Sequence, residues 1–372
     1  MRCFLCLVVV LAACGDREST TDPGPTIAVL DSILLAEPDS LETFLPLRTH
    51  AITADGQVLL ETGTAILHFN REGRLLRTIG GMGTGPGEFI RISSIGLLEG
   101  DSLLAAVDPR RARIVLFGLS DGALRREVTL TAPFFPDQQW VVNADTIVMP
   151  GKLKKQPFTT WITTTDSLRH WGVAPAIYES SLTAYSQGGE PSIAPTDEGW
   201  LALFPADPSL YVLSRAGATL QRIRLPSRRR VGVPPDVVEQ VAAVANTDSF
   251  RFVASLVLAN RRLSNGQYLL IHLDADTELH RSVNDPSSGG VGVSFSNVRY
   301  WVSLLSSDLA RACVDGLLPL KVDNILSPFF REDTLYFVAR RLDPAGQLRS
   351  VLYAYRVTDA GCRWVPTETT QP

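Results

Sequence analysis

From residue 26 onward, short apolar and β-branched segments alternate with clusters of Gly, Asp, Asn and Pro. Typical segments are AILHF at 65–69, SLLAAV at 102–107 and TLYFV at 334–338. Segments this short do not make helices, and their close spacing leaves no room for the helical crossovers of a parallel sheet. The pattern therefore predicts an all-β fold made of many short antiparallel strands.

Turn residues recur along the chain and set the number of repeats. Six turn positions that each precede an apolar strand serve as markers: Gly56, Asp101, Asp145, Gly199, Gly266 and Asp333. Successive markers are 45, 44, 54, 67 and 67 residues apart. A period near 45 is the length of a four-stranded propeller blade. One such sheet cannot bury both of its faces, but six sheets around an axis can. Residues 26–366 are predicted to form a six-bladed β-propeller of four-stranded antiparallel blades.

The second repeat shows the four strands most plainly. They are predicted at 94–98, 102–107, 113–118 and 124–130. Asp121 and Gly122 would make the hairpin turn between the last two strands, because Gly adopts the positive φ of such turns at little cost.

Two segments depart from the strand pattern. Residues 235–246 begin with Pro235, Asp236 and Glu239 and carry valines at helical spacing, which predicts one short amphipathic helix inserted between blades. Residues 367–372 are polar, and we expect them to form a disordered tail.

A glycine-rich segment, GGMGTGPGEF at 80–89, lies between the first two repeats. It lacks the Lys-Ser/Thr pair of a phosphate-binding loop, and a strand rather than a helix follows it. A structural role is favoured, with five residues forming the linker between blades: Gly85, Pro86, Gly87, Glu88 and Phe89. Pro86 and Gly87 suit the two corners of a type II turn, and Phe89 would fill the gap between the blades.

The first 15 residues have the features of an export signal. Arg2 precedes an apolar run at 4–11, which is too short to span a bilayer, and LAACG follows at 11–15. That pentapeptide resembles the lipobox of bacterial lipoproteins. The resemblance implies a signal peptide over 1–13, a lipidated Cys14 and a flexible tether over 14–25. An ordinary secretory peptide is the alternative, but its cleavage site would need a small residue in place of Leu11.

Lipidation implies a membrane partner and a location in the cell envelope. Two or three acyl chains on Cys14 would hold the protein on a bilayer. By resemblance to the sorting of known lipoproteins, Gly15, the residue after the lipidated Cys14, favours the outer membrane over the inner one. The net charge of −4 and the absence of a dominant basic face argue against a nucleic-acid partner.

Apart from the lipidated Cys14, the cysteines that remain after the predicted cleavage are Cys313 and Cys362. In an oxidising compartment they could form a disulfide that closes a 50-residue loop, which would stabilise the fold by ~4 kcal/mol. Two separately buried thiols are the alternative, and the sequence leaves both open.

The linker at 85–89 and the strand RIVLF at 113–117, followed by Asp121 and Gly122, resemble the six-bladed β-propeller lipoproteins of bacteria, relatives of NHL-repeat propellers. The match covers Asp55 to Leu130, and the later repeats agree only in the spacing of their strands and turns. The resemblance implies a monomeric binding or scaffolding module for an envelope protein or a small ligand, without a cofactor.

An enzyme is the alternative function. Some six-bladed propellers are lactonases or lyases that hold a divalent cation such as calcium in the central channel. Asn143, Asp108 and Asp323 fall near predicted inner-strand ends and are the candidate ligands. The five His show no zinc spacing, and no Gly-x-Ser-x-Gly motif is present. The sequence therefore favours a binding module over a catalyst.

Overall fold

A computed structural model of the chain shows 26 β-strands arranged in six antiparallel sheets in the part that it describes. The described residues are 24–36, 50–130, 140–143, 145–151, 156–176, 178, 191–205, 207–229, 249–281, 291–322, 326–342 and 346–370. Within these residues, no helix has the length and apolar character needed to cross a membrane. The helix predicted near 235–246 lies outside them.

Each sheet is one blade, and the first three blades have four strands each. Blade 1 contains β2 (His50–Ile52), β3 (Val58–Glu61), β4 (Ala65–Phe69) and β5 (Leu75–Gly80). Blade 2 contains β6 (Ser94–Leu98), β7 (Leu103–Asp108), β8 (Arg113–Gly118) and β9 (Leu124–Thr129). Blade 3 contains β10 (Val141–Asn143), β11 (Thr146–Pro150), β12 (Phe158–Ile162) and β13 (Ser167–Trp171). The strands of blade 2 agree with those predicted from the sequence to within one residue.

Blades 4 and 5 each carry a fifth strand from the C-terminal segment. Blade 4 contains β14 (Ser192–Pro195), β15 (Gly199–Leu203), β16 (Ser209–Ser214), β17 (Thr219–Arg224) and β26 (Glu368–Thr370). Blade 5 contains β18 (Ser249–Arg262), β19 (Tyr268–Arg281), β20 (Val291–Leu305), β21 (Arg311–Val322) and β25 (Val365–Pro366). Blade 6 contains β22 (Phe329–Arg331), β23 (Thr334–Leu342), β24 (Leu348–Thr358) and β1 (Thr26–Leu35).

The C-terminal segment corrects one prediction. Residues 368–370 form a strand where the sequence predicted a disordered tail, because the backbone of β26 pairs with the otherwise open edge of β17. Thr367 donates its backbone N–H to the carbonyl of Ala310 at 3.0 Å. A disulfide joins Cys313 on β21 to Cys362, with Cα atoms 5.7 Å apart. The segment after β24 therefore fastens the outer edges of two blades.

The first strand of the fold closes the ring. β1 pairs antiparallel with β24, from Thr26 opposite Thr358 to Leu35 opposite Ser350. The N-terminal strand thus completes the last blade, next to blade 1. Leu35 is fully buried in a cluster that joins blade 6 to blade 1. Closure therefore relies on both hydrogen bonds and apolar packing.

Burial explains why the strand pattern changes across each blade. In blade 2, every residue of the third strand is buried, and its sequence is continuously apolar after Arg113. The outer strand of blade 1, by contrast, alternates between exposed and more buried positions, with LLRTIG as its sequence. The third strand of a blade lies between neighbouring blades on both faces, whereas the outer strand meets solvent on one side.

Glycines at equivalent turns allow neighbouring blades to approach closely. Gly73, Gly122 and Gly217 each lie between the third and fourth strands of a blade and have φ values of 79°, 70° and 92°. Each contacts the outer strand or its end in the preceding blade, at Leu34, Ile79 or Trp171 respectively. A Cβ at Gly73 or Gly217 would overlap these neighbours, so the turns serve both hairpin formation and blade packing.

The glycine-rich linker is a packed crossover between blades 1 and 2. Glu88 donates its N–H to the carbonyl of Gly85 at 3.2 Å, and Gly87 has a φ of 72°, as a type II turn requires. The Arg113 guanidinium binds the carbonyl of Glu88 and the carboxylate of Glu127. Phe89 is fully buried, with its ring 5.9 Å from that of Phe117.

Candidate functional site

A cavity of about 320 Å³ lies on the axis of the propeller. The first strands of neighbouring blades contact one another and ring this axis. Residues from the first strands of blades 2 to 6, with Trp140 just before β10, line the cavity: Gly96, Leu97, Trp140, Val141, Val142, Ile193, Ala194, Pro195, Asn260, Arg261, Phe329, Phe330, Arg331 and Glu332. Its volume falls at the lower end of the range for small-molecule sites.

One side of the cavity is apolar and aromatic. The Trp140 ring packs against β6, where a Cβ at Gly96 would overlap it. Its indole N–H donates to the Ser94 hydroxyl at 3.2 Å, which fixes the ring in the wall. Val142 lines the same cavity and remains 42% exposed. The wall therefore offers an ordered apolar surface for a ligand.

Arg261 brings a positive charge to the cavity. Its side chain is partly exposed, but the Nε atom is buried and makes no hydrogen bond with the described residues. Burial lowers the pKa of the guanidinium, while Asp333 raises it and Arg331 lowers it through their charges. No carboxylate of the described residues lies within 4.0 Å of it. Arg261 thus carries a charge that no ion pair with the described residues neutralises.

The neighbour of Arg261 anchors the strand in place. The Asn260 amide donates to the carbonyl of Leu201 at 2.7 Å, and its oxygen accepts from the Ser192 hydroxyl at 2.7 Å. The Asn260 backbone N–H also donates to the Ser192 hydroxyl at 3.1 Å. This buried network joins blades 4 and 5 and holds the end of β18 against the axis.

The second arginine of the cavity is already paired. Arg331 forms a bidentate contact with Asp101 of blade 2, at 3.0 Å and 2.9 Å. Asp101 also accepts the backbone N–H of Ala54 at 2.7 Å, so it links blades 6, 1 and 2. Glu332, the acidic residue of the lining, is exposed at the turn that follows β22.

Of the three candidate cation ligands, the structure describes Asp108 in full, the strand position of Asn143 and nothing of Asp323. Asp108 is fully buried at the end of a second strand, where the sequence had placed an inner-strand end. Its carboxylate accepts backbone N–H groups of Ile90, Arg110 and Arg111 at 3.0–3.3 Å and shapes a turn. Asn143 ends the inner strand β10, and Asp323 lies outside the described residues. Among the described residues, no group of three or more His, Cys, Asp or Glu has metal-binding geometry.

A buried polar cluster on blade 5 has the residue types of a catalytic triad but a different geometry. The Ser303 hydroxyl lies 3.0 Å from Nε2 of His272, and an Asp315 oxygen lies 3.9 Å from the same nitrogen. A triad needs the serine and the carboxylate on opposite ring nitrogens. His272 and Ser303 are both fully buried. The cluster instead supports the chain after β17, because Asp315 accepts from Ser227 at 2.5 Å.

Comparisons with known proteins identify the class of fold. Residues 54–141 match the DUF5128 family model, which is described as a 6-bladed beta-propeller. The structure of a DUF4221 family member from Bacteroides vulgatus aligns with 94% of this chain and 100% of its own, at a TM-score of 0.57 and 11% identity. The chain is a six-bladed β-propeller.

A second structure agrees with this assignment. A protein from Bacteroides fragilis, described as exported, aligns with 89% of this chain and 95% of its own, at a TM-score of 0.53 and 13% identity. At these identities the similarity shows the fold alone. The chain has no significant match among curated proteins.

Proposed function

We propose that this chain is a lipid-anchored envelope protein whose propeller binds a small ligand in the central channel. The observation that carries the proposal is the axial cavity, which inner strands from five blades line. Its Arg261 side chain has no ion-pair partner among the described residues. A cavity of this kind favours a small ligand over a purely structural role, since burying a charge without compensation is costly.

Several observations support the anchor. Cys14 lies in a lipobox-like sequence, and Gly24, ten positions later, packs against the backbone of Gly316 on blade 5. Ten residues span at most ~36 Å, so a lipidated chain would hold this edge of the propeller close to the membrane. The Bacteroides fragilis neighbour, described as exported, is consistent with an extracytoplasmic location.

The anchor is tested by replacing the predicted lipidation site. In a bacterial host, the wild-type chain is expected to incorporate radiolabelled palmitate and to sediment with membranes, whereas C14S does neither because it has no thiol to modify. Cys6→Ser serves as the control and keeps the label, since Cys6 leaves with the signal peptide. Labelling of C14S, or a mature N-terminus at another residue, would contradict the anchor.

The channel is tested by filling it. Val142→Trp adds a large ring at a lining position that is 42% exposed, so it should abolish ligand binding while the fold is retained. Ile162→Trp, at a position 37% exposed on the third strand of the same blade, is the matched control. Saturation-transfer NMR measures binding of three probes that share a phenylbutyl body: 4-phenylbutyrate, 4-phenylbutanamide and 4-phenylbutylamine. Failure of all three to bind the wild-type chain would refute the channel function.

A further inference from the structure

We propose that the channel ligand is a small organic anion, with one acidic group bound by Arg261 and an apolar body packed against the Trp140 side of the cavity. This inference rests on the proposed channel function and adds the chemical class of the ligand. The observations behind it are the charge of Arg261, the pairing of Arg331 and the chemistry of the opposite wall.

The charge pattern selects an anion. Arg261 brings a full positive charge to a partly enclosed space, and its Nε finds no hydrogen-bond acceptor among the described residues. Asp333, the acidic residue whose charge affects Arg261, already accepts the backbone N–H of Ser264 at 2.8 Å and the hydroxyl of the same residue. Removing a charge from water is unfavourable unless a partner replaces the lost hydration. A ligand carboxylate would supply that partner.

The two arginines of the cavity have different roles. The charge of the Arg331 guanidinium is already paired with the Asp101 carboxylate, so Arg331 fastens blades rather than providing the charge for a ligand. Arg261 is held at the axis by the Asn260 and Ser192 network, which leaves its guanidinium available. A planar guanidinium matches a carboxylate in bidentate geometry. Among the described lining residues, Arg261 is therefore the group that is available to bind an anion.

The apolar wall of the cavity favours a ligand with an apolar portion. Trp140, Val142, Ile193 and Phe329 line it, and the Trp140 indole N–H is already bonded to Ser94. On this wall, the exposed side chain of Val142 and the partly exposed ring of Phe329 present carbon atoms to the cavity, and these favour apolar groups by removing them from water. Glu332 lies at the exposed turn, where solvent screens its charge.

The experiment compares the three phenylbutyl probes on the full chain and two arginine variants. The wild-type chain is expected to bind 4-phenylbutyrate at least ~10-fold more tightly than the amide or the amine, because a charge-assisted hydrogen bond contributes that much. R261M should lose this preference, and R261K should keep part of it. R262M is the matched control, since Arg262 is the next residue, does not line the cavity and pairs with Asp197 at 2.7 Å.

A stability readout separates a ligand-binding role from a structural one. Without ligand, R261M should melt at or above the temperature of the wild-type chain, because it removes an uncompensated charge. A lower melting temperature together with unchanged probe preference would overturn the proposal. Equal binding of all three probes would also overturn it and leave the channel function intact, whereas binding of none would refute the channel function itself.

Discussion

Leu35→Ala is expected to lower the free energy of unfolding by about 2–5 kcal/mol, the cost of removing a large aliphatic side chain from a packed core. Leu35 is the last residue of the closing strand and is fully buried among Ile52 and Leu60 of blade 1 and Val338 and Leu352 of blade 6. A cavity there would weaken the contact that closes the ring. Urea unfolding followed by circular dichroism measures the change.

The neighbouring residue provides the control. Leu34 lies on the same strand but is 54% exposed, so Leu34→Ala should change the free energy of unfolding by no more than ~0.5 kcal/mol. Equal effects of the two substitutions would show that β1 does not pack between blades 6 and 1, and would contradict the closure of the ring by the N-terminal strand.

The spacing of strands and turns within the blades could be predicted from the sequence because it depends on local features. In blade 2, turn residues such as Asp121 and Gly122 and short apolar runs define strands whose partners are nearby along the chain. The closing pair is different. Thr26 lies opposite Thr358, more than 300 residues away, and nothing in either local sequence specifies that pairing. The role of β26, which covers the edge of β17, was missed for the same reason.

The candidate site was missed for a different reason. The sequence directed attention to acidic residues at strand ends, and Asp108 instead shapes a turn. Arg261 and Arg262 are adjacent. Because successive side chains of a strand point to opposite faces of the sheet, they lie in different surroundings. Only the position of β18 within the ring shows that Arg261 lines the cavity and that Arg262 pairs with Asp197. A site assembled from five separate strands has no contiguous motif.

Removing the disulfide is expected to destabilise the fold about as much as Leu35→Ala does. Replacing Cys313 and Cys362 together with serine should lower the free energy of unfolding by ~4 kcal/mol, because the unfolded chain regains the freedom of a 50-residue loop. The bond also holds the segment that supplies β25 and β26, so the variant should expose that segment. Limited proteolysis with mass spectrometry measures its release, and urea unfolding measures the stability.

Treatment with a reductant distinguishes the loss of the disulfide from a general destabilisation by the two substitutions. Dithiothreitol should lower the urea midpoint of the wild-type mature chain toward that of the double variant and leave the variant itself unchanged. The ligand cavity lies on the axis, away from the outer edges that β25 and β26 cover, so probe binding should persist in the folded variant. If the reduced wild-type chain kept both its midpoint and its resistance to proteolysis, the C-terminal strands would be held by backbone pairing alone.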